Sequence, residues 1–280
     1  MSASVSVSVI VCTLNNSRTI GRCLEAVKDQ ELSADEVLIV DGGSSDDTPG
    51  IAESFGTLVR SPVGNRCYQN NLGASLATGN YLLFLDADME LGPKVISQAV
   101  SLSDGPEKYQ ALLLPEVSYG CNFWAKVKAF ERSFYPGVWW VEAARWFARD
   151  LFLRLGGFDT TMTGTEDWDL DQKARNLTRI GTVREVTHHN EGQVRLNDLA
   201  ARKAHYAVTF DRFKQRHSDR ASLCFSLRAR GEVFLHQPRR LALHPLLTSG
   251  VIVQGLTELA ATKGWYSTED PWPQERPIET

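Results

Sequence analysis

The sequence predicts an α/β protein with a mainly parallel sheet flanked by helices, followed by a helical C-terminal extension. Short apolar, β-branched runs alternate with segments of helical periodicity through the first hundred residues, a pattern typical of right-handed strand–helix–strand units. The chain has 280 residues, 42% of them hydrophobic and 23% charged. This size and composition are those of a globular protein with one large domain, or one domain and an appendage.

The strands and helices are predicted in chain order from periodicity and capping residues. Strands are expected at four apolar runs: residues 7–12, 36–40, 58–60 and 81–85. Helices are expected in four places: after a cap at Ser17, from Thr48 and Pro49 to Gly56, over 65–78 with Gly79 as the stop, and from Pro93 onward. The second half is less regular, and the aromatic-rich segment 119–147 is interpreted mainly as core and covering loop.

Polar side chains follow three of these strands at the point where each strand ends. Thr13 and Asn15 follow the first strand, Asp41 the second, and Asp86 and Asp88 the fourth. Because the carboxyl ends of parallel strands meet at one edge, where ligands bind, these residues form a candidate site. The alternative is that they are ordinary turn residues, since Asp is common in turns.

Asp86 and Asp88 lie one residue apart directly after the buried run "YLLFL". Side chains alternate along a strand, so both carboxylates are expected to point the same way. Such a pair can share one hard divalent cation, Mg²⁺ or Mn²⁺, with substrate phosphates in the remaining coordination positions.

Cysteine usage and charge bear on where the protein acts. The five cysteines are scattered without a C-x-x-C pair, which fits a reducing compartment. The first residues lack the basic region of a signal peptide. No apolar run reaches the ~18 residues of a membrane span. We therefore expect a cytoplasmic protein without a nucleic-acid partner. The segment 195–240 carries a local charge of +7 although the whole chain carries −4, so it is either a solvated basic face or a peripheral contact with the inner face of a membrane.

Six segments, in this order, resemble the family 2 glycosyltransferases, which have the GT-A fold: "VSVIVCTLNN", "DEVLIVDGGSSDDT", "GNRCYQNNLGASLATGNYLLFLDADM", "LGGFD", "TEDWDLDQKA" and "HNEG". They extend over roughly Val5 to Gly192, about two-thirds of the chain. The resemblance implies a GT-A domain at 1–192, which binds a nucleotide sugar and carries the catalytic residues. Residues 193–280 would be a basic helical extension that faces the acceptor or a membrane.

The resemblance also implies roles for particular residues. Six are expected at the donor nucleotide: Thr13, Asn15, Asp41, Arg66, Asn71 and Asp86. Asp88, Asp86 and His189 are expected at the metal ion, with His188 as a competing candidate for His189. Glu166 and Asp167 match the acidic pair that contains the catalytic base, and Asp167 is the expected base.

The implied reaction is a single in-line displacement on a nucleotide sugar. Asp167 removes the proton from an acceptor hydroxyl, which attacks the anomeric carbon with inversion as the nucleoside diphosphate leaves. A UDP-sugar is the favoured donor and a GDP-sugar the alternative. The acceptor is expected to be a glycan, such as a lipid-linked or cell-surface precursor in polysaccharide biosynthesis.

Other interpretations remain open at this stage. Asp41 can cap the Gly42-Gly43 turn, Arg66 can be a solvated helix residue, and Glu166 can be the N-cap of a helix over 167–175. His189 can be a structural histidine. For the whole protein, the alternatives are a phosphatase of the haloacid dehalogenase type that uses the D-x-D, and an inactive sugar-nucleotide-binding scaffold.

Overall fold

The computed structural model describes residues 5–62 and 65–263. Its strands are β1 (Val7–Thr13), β2 (Glu36–Asp41), β3 (Thr57–Arg60), β4 (Tyr81–Asp86), β5 (Met89–Leu91), β6 (Ala111–Leu113), β7 (Glu116–Tyr119), β8 (Trp146–Ala148), β9 (Ile180–Thr182) and β10 (Thr187–Asn190). Its helices in the first two-thirds are α1 (Ile20–Lys28), α2 (Thr48–Ala52), α3 (Arg66–Leu76), α4 (Val95–Asp104), α5 (Phe123–Arg132), α6 (Arg149–Arg154) and α7 (Glu166–Arg175). The C-terminal extension contains α8 (Leu196–Ala207), α9 (Phe210–Arg216), α10 (Ser218–Cys224), α11 (Leu227–Leu235), α12 (Pro238–Leu243) and α13 (Pro245–Thr262).

A seven-stranded sheet in the order β3-β2-β1-β4-β8-β6-β9 forms the centre of the molecule. The strands run parallel except β8, which is antiparallel to both β4 and β6. All seven residues of β1 are buried, as expected for a strand covered by helices on both faces. Val9 of β1 lies opposite Val37 on one side and Leu83 on the other.

Two hydrophobic clusters cover the two faces of this sheet. One contains Ile20 and Leu24 of α1 together with Ile96 of α4. The other contains Ala74 of α3 and residues of α6 and α7. Helix α3 approaches the sheet closely at Gly73, where a Cβ atom would lie 2.5 Å from the Ile10 side chain, so glycine is required there by packing.

A second, three-stranded sheet in the order β5-β10-β7 lies beyond the end of β4. β10 runs antiparallel to β5 and parallel to β7. β5 begins directly after Asp88 and pairs with β10, so β10 lies close to the end of β4. Asn190 N donates to the Asp88 carbonyl at 2.9 Å.

The C-terminal extension is held to the rest of the molecule by polar contacts as well as by helix packing. α13 packs on α5 and α8. Arg220 of α10 is buried and donates to Asp171 of α7 at 2.6 Å. His217 and Arg216 both reach Asp169 of α7, at 2.8 and 2.9 Å. The extension therefore supports the helix that begins with the predicted catalytic pair, and a boundary at 192/193 stays a prediction.

The structure confirms the predicted fold class and the four predicted strands, and it corrects several helix ends. The helix expected after Ser17 has Thr19 as its N-cap, because Asp46 accepts the Ser17 N–H and holds that residue in the preceding loop. Thr48 is the first residue of α2, after an N-cap at Asp47, and α4 begins two residues after Pro93. The Pro-rich tail at 269–280, for which little order is expected from the sequence, lies outside the described residues.

Candidate active site

Three of the predicted polar residues end adjacent strands of the central sheet. Thr13 at the end of β1 lies opposite Asp41 at the end of β2, and Cys12 of β1 lies opposite Asp86 at the end of β4. The sequence-based expectation that these strand ends converge is therefore met.

The loop after β1 is fixed to the loop after β2 by side-chain hydrogen bonds. Asn15 has a left-handed backbone conformation with φ of 55°, which Asn tolerates better than most residues. Its Oδ1 accepts from Ser45 N at 2.8 Å, and its own N–H donates to Ser44 Oγ at 2.8 Å. The Thr13 hydroxyl is buried and donates to Asn16 Oδ1 at 3.1 Å. These contacts shape the sheet edge, and contact of Thr13 and Asn15 with a nucleotide stays a prediction.

Asp41 is fully buried, and its carboxylate holds the turn that follows it. It accepts from Gly43 N at 3.1 Å and from Ser44 Oγ at 2.5 Å, while Gly43 adopts φ of 92°. The turn-capping role considered for Asp41 is therefore observed. The predicted contact with the donor base remains untested.

Arg66 lies at the centre of an acidic cluster. Its Nη1 donates to Asp86 at 3.2 Å, and its Nη2 donates to Asp167 at 3.2 Å and to Glu166. It is the first residue of α3, where Asn65 caps the helix by accepting from Tyr68 N at 3.0 Å. The alternative of a solvated helix residue was wrong, because this one guanidinium joins the end of β4 to the start of α7.

Asp86 is paired with a second guanidinium. Its Oδ2 accepts from Arg145 Nη2 at 3.2 Å, and Arg145 Nε in turn donates to Glu116 at 2.9 Å. Burial alone would raise the pKa of Asp86, but Arg66 and Arg145 outweigh it and hold the pKa below its usual range. Asp86 is therefore an anion with both oxygens engaged by arginine.

Asp88 lies next to His189. β4 ends at Asp86 and the chain turns at 87–88, so strand alternation does not extend to Asp88, and the expectation that both carboxylates point the same way stays a prediction. Asp88 Oδ2 lies 3.4 Å from His189 Nε2. His188 is exposed, and side chains alternate along β10, so it faces away from this contact.

The residues around Asp88 fit a divalent cation that binds together with substrate. Asp88 Oδ1 is buried without a hydrogen-bond partner, and a carboxylate with an imidazole is a ligand set that suits Mn²⁺ and Mg²⁺. His189 Nδ1 lies 2.7 Å from Arg132 Nη1 and 3.4 Å from Glu116 Oε2. Because a guanidinium can only donate, Nδ1 accepts in this arrangement, and Nε2 would have to lose its proton before it could bind a cation. Within 5–62 and 65–263, no three His, Cys, Asp or Glu side chains form a group that could hold a metal, so substrate oxygens would have to complete the coordination.

The predicted catalytic pair opens helix α7. Thr165 is the N-cap, so the expectation that Glu166 caps the helix was wrong: Glu166 is the first helical residue and is buried against Arg66. Asp167 retains 34% side-chain exposure. Partial burial raises the pKa of Asp167 to about 6, and the Glu166 carboxylate adds to this against the opposing effect of Arg66.

Asp167 borders a cavity of about 250 Å³. Aromatic walls come from Tyr135 and Trp168, and charged groups come from Glu116, Arg132, Glu142 and Arg145. The Trp168 indole N–H donates to the Val141 carbonyl at 2.8 Å, which fixes one wall. The arrangement places a carboxylate with a raised pKa at a cavity of the size of a small ring.

Asn71 lies outside this cluster. Its amide donates to the Phe158 carbonyl at 2.8 Å and accepts from Phe158 N at 2.9 Å. Phe158 follows Gly156 and Gly157, which have φ of 81° and 69°, so Asn71 holds the turn before the acidic pair. The predicted contact of Asn71 with the donor stays a prediction.

Sequence reasoning missed four charged residues of the site: Arg145, Glu116, Arg132 and Glu191. Glu191 belongs to the quoted "HNEG" segment, so its motif position was an available signal. Lys128 and Arg132 lower the pKa of buried Glu191 to about 2. Arg145, Glu116 and Arg132 lie outside the quoted segments, and no local pattern identified them.

The sequence is similar to those of known glycosyltransferases. The model of the family "Glycosyl transferase family 2" matches residues 8–161. Among curated proteins, the PGL/p-HBAD biosynthesis glycosyltransferase of Mycobacterium tuberculosis is 28% identical over 173 residues, which cover 59% of this chain and 67% of that protein. The 4,4'-diaponeurosporenoate glycosyltransferase of Staphylococcus haemolyticus is 29% identical over 120 residues, 39% of this chain and 31% of the relative.

Solved structures resemble the whole fold at lower identity. The mannosyltransferase PcManGT from Pyrobaculum calidifontis, in complex with GDP-Man and Mn²⁺, aligns with a TM-score of 0.64 and 21% identity, over 96% of this chain and 89% of that one. S. aureus TarS 1-349 in complex with UDP-GlcNAc aligns with a TM-score of 0.58 and 19% identity, over 94% and 93% of the two chains. At this identity the likeness establishes the fold, which is of the GT-A type.

The helices were also compared with the requirements of a membrane span. None in the described part of the chain has the length and apolar content to cross a bilayer.

Proposed function

This chain belongs to glycosyltransferase family 2 and is a glycosyltransferase, and we propose that it transfers a sugar from a nucleoside diphosphate to an acceptor hydroxyl with inversion at the anomeric carbon. The observation that carries the proposal is the Arg66 bridge. This guanidinium joins Asp86, at the sheet edge where a donor would bind, to Asp167 at the cavity. Donor and acceptor would thus meet on the two sides of one charged group.

The donor would bind across the ends of β1, β2 and β4. Thr13, Asn15 and Asp41 lie there, and Arg66 with Asn71 would complete the contacts. Structural neighbours are named as complexes with GDP-Man and with UDP-GlcNAc, which supports a nucleotide-sugar donor. A UDP-sugar is the first candidate and a GDP-sugar the alternative.

Asp88 and His189 would hold a divalent cation, Mn²⁺ or Mg²⁺, next to the donor diphosphate. When bound, the cation would neutralise negative charge on the departing nucleoside diphosphate. Asp86 would contribute by holding Arg66 and Arg145 in place near the same phosphates. The unpartnered Oδ1 of Asp88 supports this assignment, as does the Mn²⁺ in neighbouring structures.

Asp167 would act as the general base, with Glu166 beside it. Above pH 6 the Asp167 carboxylate is ionised and can take the proton of an acceptor hydroxyl bound in the cavity. Asp167 lines the cavity that we assign to the acceptor. A base that acts on the acceptor hydroxyl supports a single displacement at the anomeric carbon, which inverts its configuration.

The cavity favours an uncharged, ring-shaped acceptor group. Its charged lining consists of two guanidinium groups, Arg132 and Arg145, against three carboxylates, Glu116, Glu142 and Asp167. This balance disfavours a phosphate or carboxylate, while Tyr135 and Trp168 suit the apolar face of a sugar. We propose a glycan acceptor, carried on a lipid or on a cell-surface precursor, and a cytoplasmic enzyme that contacts the inner face of the membrane peripherally.

The first experiment measures thermal stability with UDP, GDP, CDP and ADP, each with and without Mn²⁺, in the wild type and in Asp88→Asn. A nucleotide at about 100 times its dissociation constant adds about 2.7 kcal/mol to stability. We expect a Mn²⁺-dependent increase with one nucleotide that Asp88→Asn removes and that the exposed control Asp104→Asn keeps. If no nucleotide stabilises the wild type, the donor site is refuted.

Turnover tests the remaining alternatives. Release of the nucleoside diphosphate from a donor in the presence of an acceptor would exclude an inactive scaffold. Nucleotide binding without any turnover on a panel of glycan acceptors would favour the scaffold. Membership of glycosyltransferase family 2 leaves the phosphatase alternative without support.

A further inference from the structure

Helix α13 buries the polar side chain of Gln254 and exposes several large apolar side chains on its opposite face. Gln254 is buried and donates to Glu131 of α5 at 2.8 Å. Glu258, one turn later, pairs with Lys203 of α8 at 3.5 Å. A helix that packs on a protein core in water normally has the reverse arrangement.

The outward residues of α13 are large and apolar. Leu246, Ile252, Val253 and Leu256 are 77%, 59%, 44% and 62% exposed. The preceding helices continue this surface with Leu227, Leu235 and Leu243, which are 68%, 69% and 75% exposed. We call these seven residues the apolar surface of the extension. They make up seven of the fifteen large hydrophobic side chains that are exposed in the described residues, so the exposure is concentrated in this segment.

Cations accompany the apolar surface. Residues 227–263 contain five Lys or Arg and two Asp or Glu, although the whole chain is acidic with a net charge of −4. Arg228 is 89% exposed, and Arg239 is exposed as well. Exposed leucines next to arginines are typical of segments that lie in the interface of an anionic bilayer.

A second copy of the chain is a poorer partner for this surface. In a two-fold dimer the same patch meets itself, so the arginines of one copy would approach those of the other. An anionic lipid surface instead complements them. The charge therefore favours lipid over self-association.

Two of the helices that carry this surface contact the segment that contains Tyr135, a residue of the cavity wall. Arg230 of α11 donates to the Tyr135 hydroxyl at 3.1 Å, and Tyr135 is a wall of the cavity. Arg240 of α12 donates to the Ser133 carbonyl at 3.1 Å, two residues earlier. A bilayer against α11–α13 would thus lie near the proposed acceptor.

We propose that α11–α13 form a docking surface for an anionic membrane, in which the seven apolar residues enter the interface and the exposed Arg228 and Arg239 contact lipid headgroups. The helices lie on the bilayer and do not cross it. That this delivers a lipid-linked acceptor to the cavity rests on the proposed function, whereas the docking itself does not.

Co-sedimentation of the full chain with vesicles tests the proposal. We expect binding to 3:1 phosphatidylcholine:phosphatidylglycerol vesicles at low salt and weak binding to pure phosphatidylcholine. Leu246→Ser and Leu256→Ser should each lower the partition coefficient about tenfold, because burial of a leucine side chain is lost. Arg228→Gln combined with Arg239→Gln should lower it further and reduce its salt dependence.

The matched controls are Leu177→Ser and Leu32→Ser. Both leucines are exposed, at 62% and 42%, and lie outside the extension. They should leave vesicle binding unchanged. The proposal would be overturned if the control variants lost vesicle binding to the same extent. It would also be overturned if the wild type did not bind vesicles at low salt. A dimer, seen by light scattering, that Leu246→Ser abolishes while no vesicles are bound would overturn it as well.

Asp88→Asn separates docking from the proposed chemistry. This variant should bind vesicles like the wild type, because Asp88 lies at the sheet edge and not in α11–α13. Vesicle binding without any nucleotide response would refute the proposed function alone. A nucleotide response without vesicle binding would refute the docking surface and the proposed membrane contact, and would leave the proposed donor site in place.

Discussion

The central sheet and the C-terminal extension use charged and apolar side chains in opposite places. In the sheet, β1 and β4 bury apolar residues, and the carboxylates gather at the strand ends. In the extension, α13 exposes Leu246 and Leu256, and contacts with the rest of the molecule include buried charges such as Arg220 with Asp171. This difference indicates that the sheet edge holds the proposed site, whereas the extension stabilises α7 through ion pairs. Separate substitutions in the two regions can test that division.

The largest effect is expected at the sheet edge, from Asp167→Asn. Loss of a general base lowers kcat by about 10²- to 10⁴-fold, while the Mn²⁺-dependent thermal shift with nucleotide should remain. Asp150→Asn, at an exposed position of α6, is the control and should keep full activity. Steady-state kinetics and thermal shifts on the same preparations measure both effects. Asp167→Asn with unchanged kcat would assign the base elsewhere.

Arg220→Met tests the support from the extension. Arg220 and Asp171 are 1% and 0% exposed, and removal of one partner from a buried ion pair costs about 3 kcal/mol or more in the free energy of unfolding. Urea denaturation measures this loss. Arg228→Met removes an exposed pair with Glu232 and should have no measurable effect.

A compensating double variant sharpens the same test. Arg220→Met combined with Asp171→Leu removes both buried charges and should recover part of the lost stability. Arg175 also pairs with Asp171, so the recovery should be incomplete. A double variant less stable than Arg220→Met alone would contradict the ion-pair account.

The pH dependence of kcat/KM should report Asp167. Its carboxyl pKa is raised to about 6, and the protonated form cannot accept a proton. Activity should therefore rise about tenfold per pH unit below pH 6 and level off above it. Glu166→Gln removes a neighbouring negative charge, which lowers the Asp167 pKa and should move the break to lower pH. A flat profile between pH 5 and 7, with the circular dichroism spectrum unchanged, would contradict this assignment.

The smallest effect is expected from Asn71→Ala. The variant loses two hydrogen bonds to the Phe158 backbone, which should cost about 1–3 kcal/mol in the free energy of unfolding. If Asn71 acts through this turn alone, the nucleotide concentration for half-maximal thermal shift should not change. If the variant is fully folded and nevertheless needs a higher nucleotide concentration for the half-maximal thermal shift, the donor contact predicted from the sequence is supported.

Local patterns in the sequence were sufficient to predict four strands of the central sheet and the polar residues that follow three of them. They did not predict β6, β8 and β9, three-residue strands in the second half of the chain, where strands and helices do not alternate regularly. The D-x-D stands in the sequence, but β4 ends at Asp86, so strand alternation alone could not predict the direction of the Asp88 side chain. The pairing of Arg66 with Asp167, 101 residues away, depends on tertiary structure that no local pattern encodes.

The antiparallel strand β8 has a consequence for how the chain assembles. The sheet consists of two parallel parts, β3-β2-β1-β4 and β6-β9, and in the described residues β8 alone joins them. Residues 146–148 of β8 cover the edge of β4 by pairing with residues 81–83. A nascent chain released before residue 146 would leave β4 as an open, apolar edge strand, which is prone to intermolecular pairing. Truncated or slowly completed chains should therefore be the ones that aggregate during synthesis.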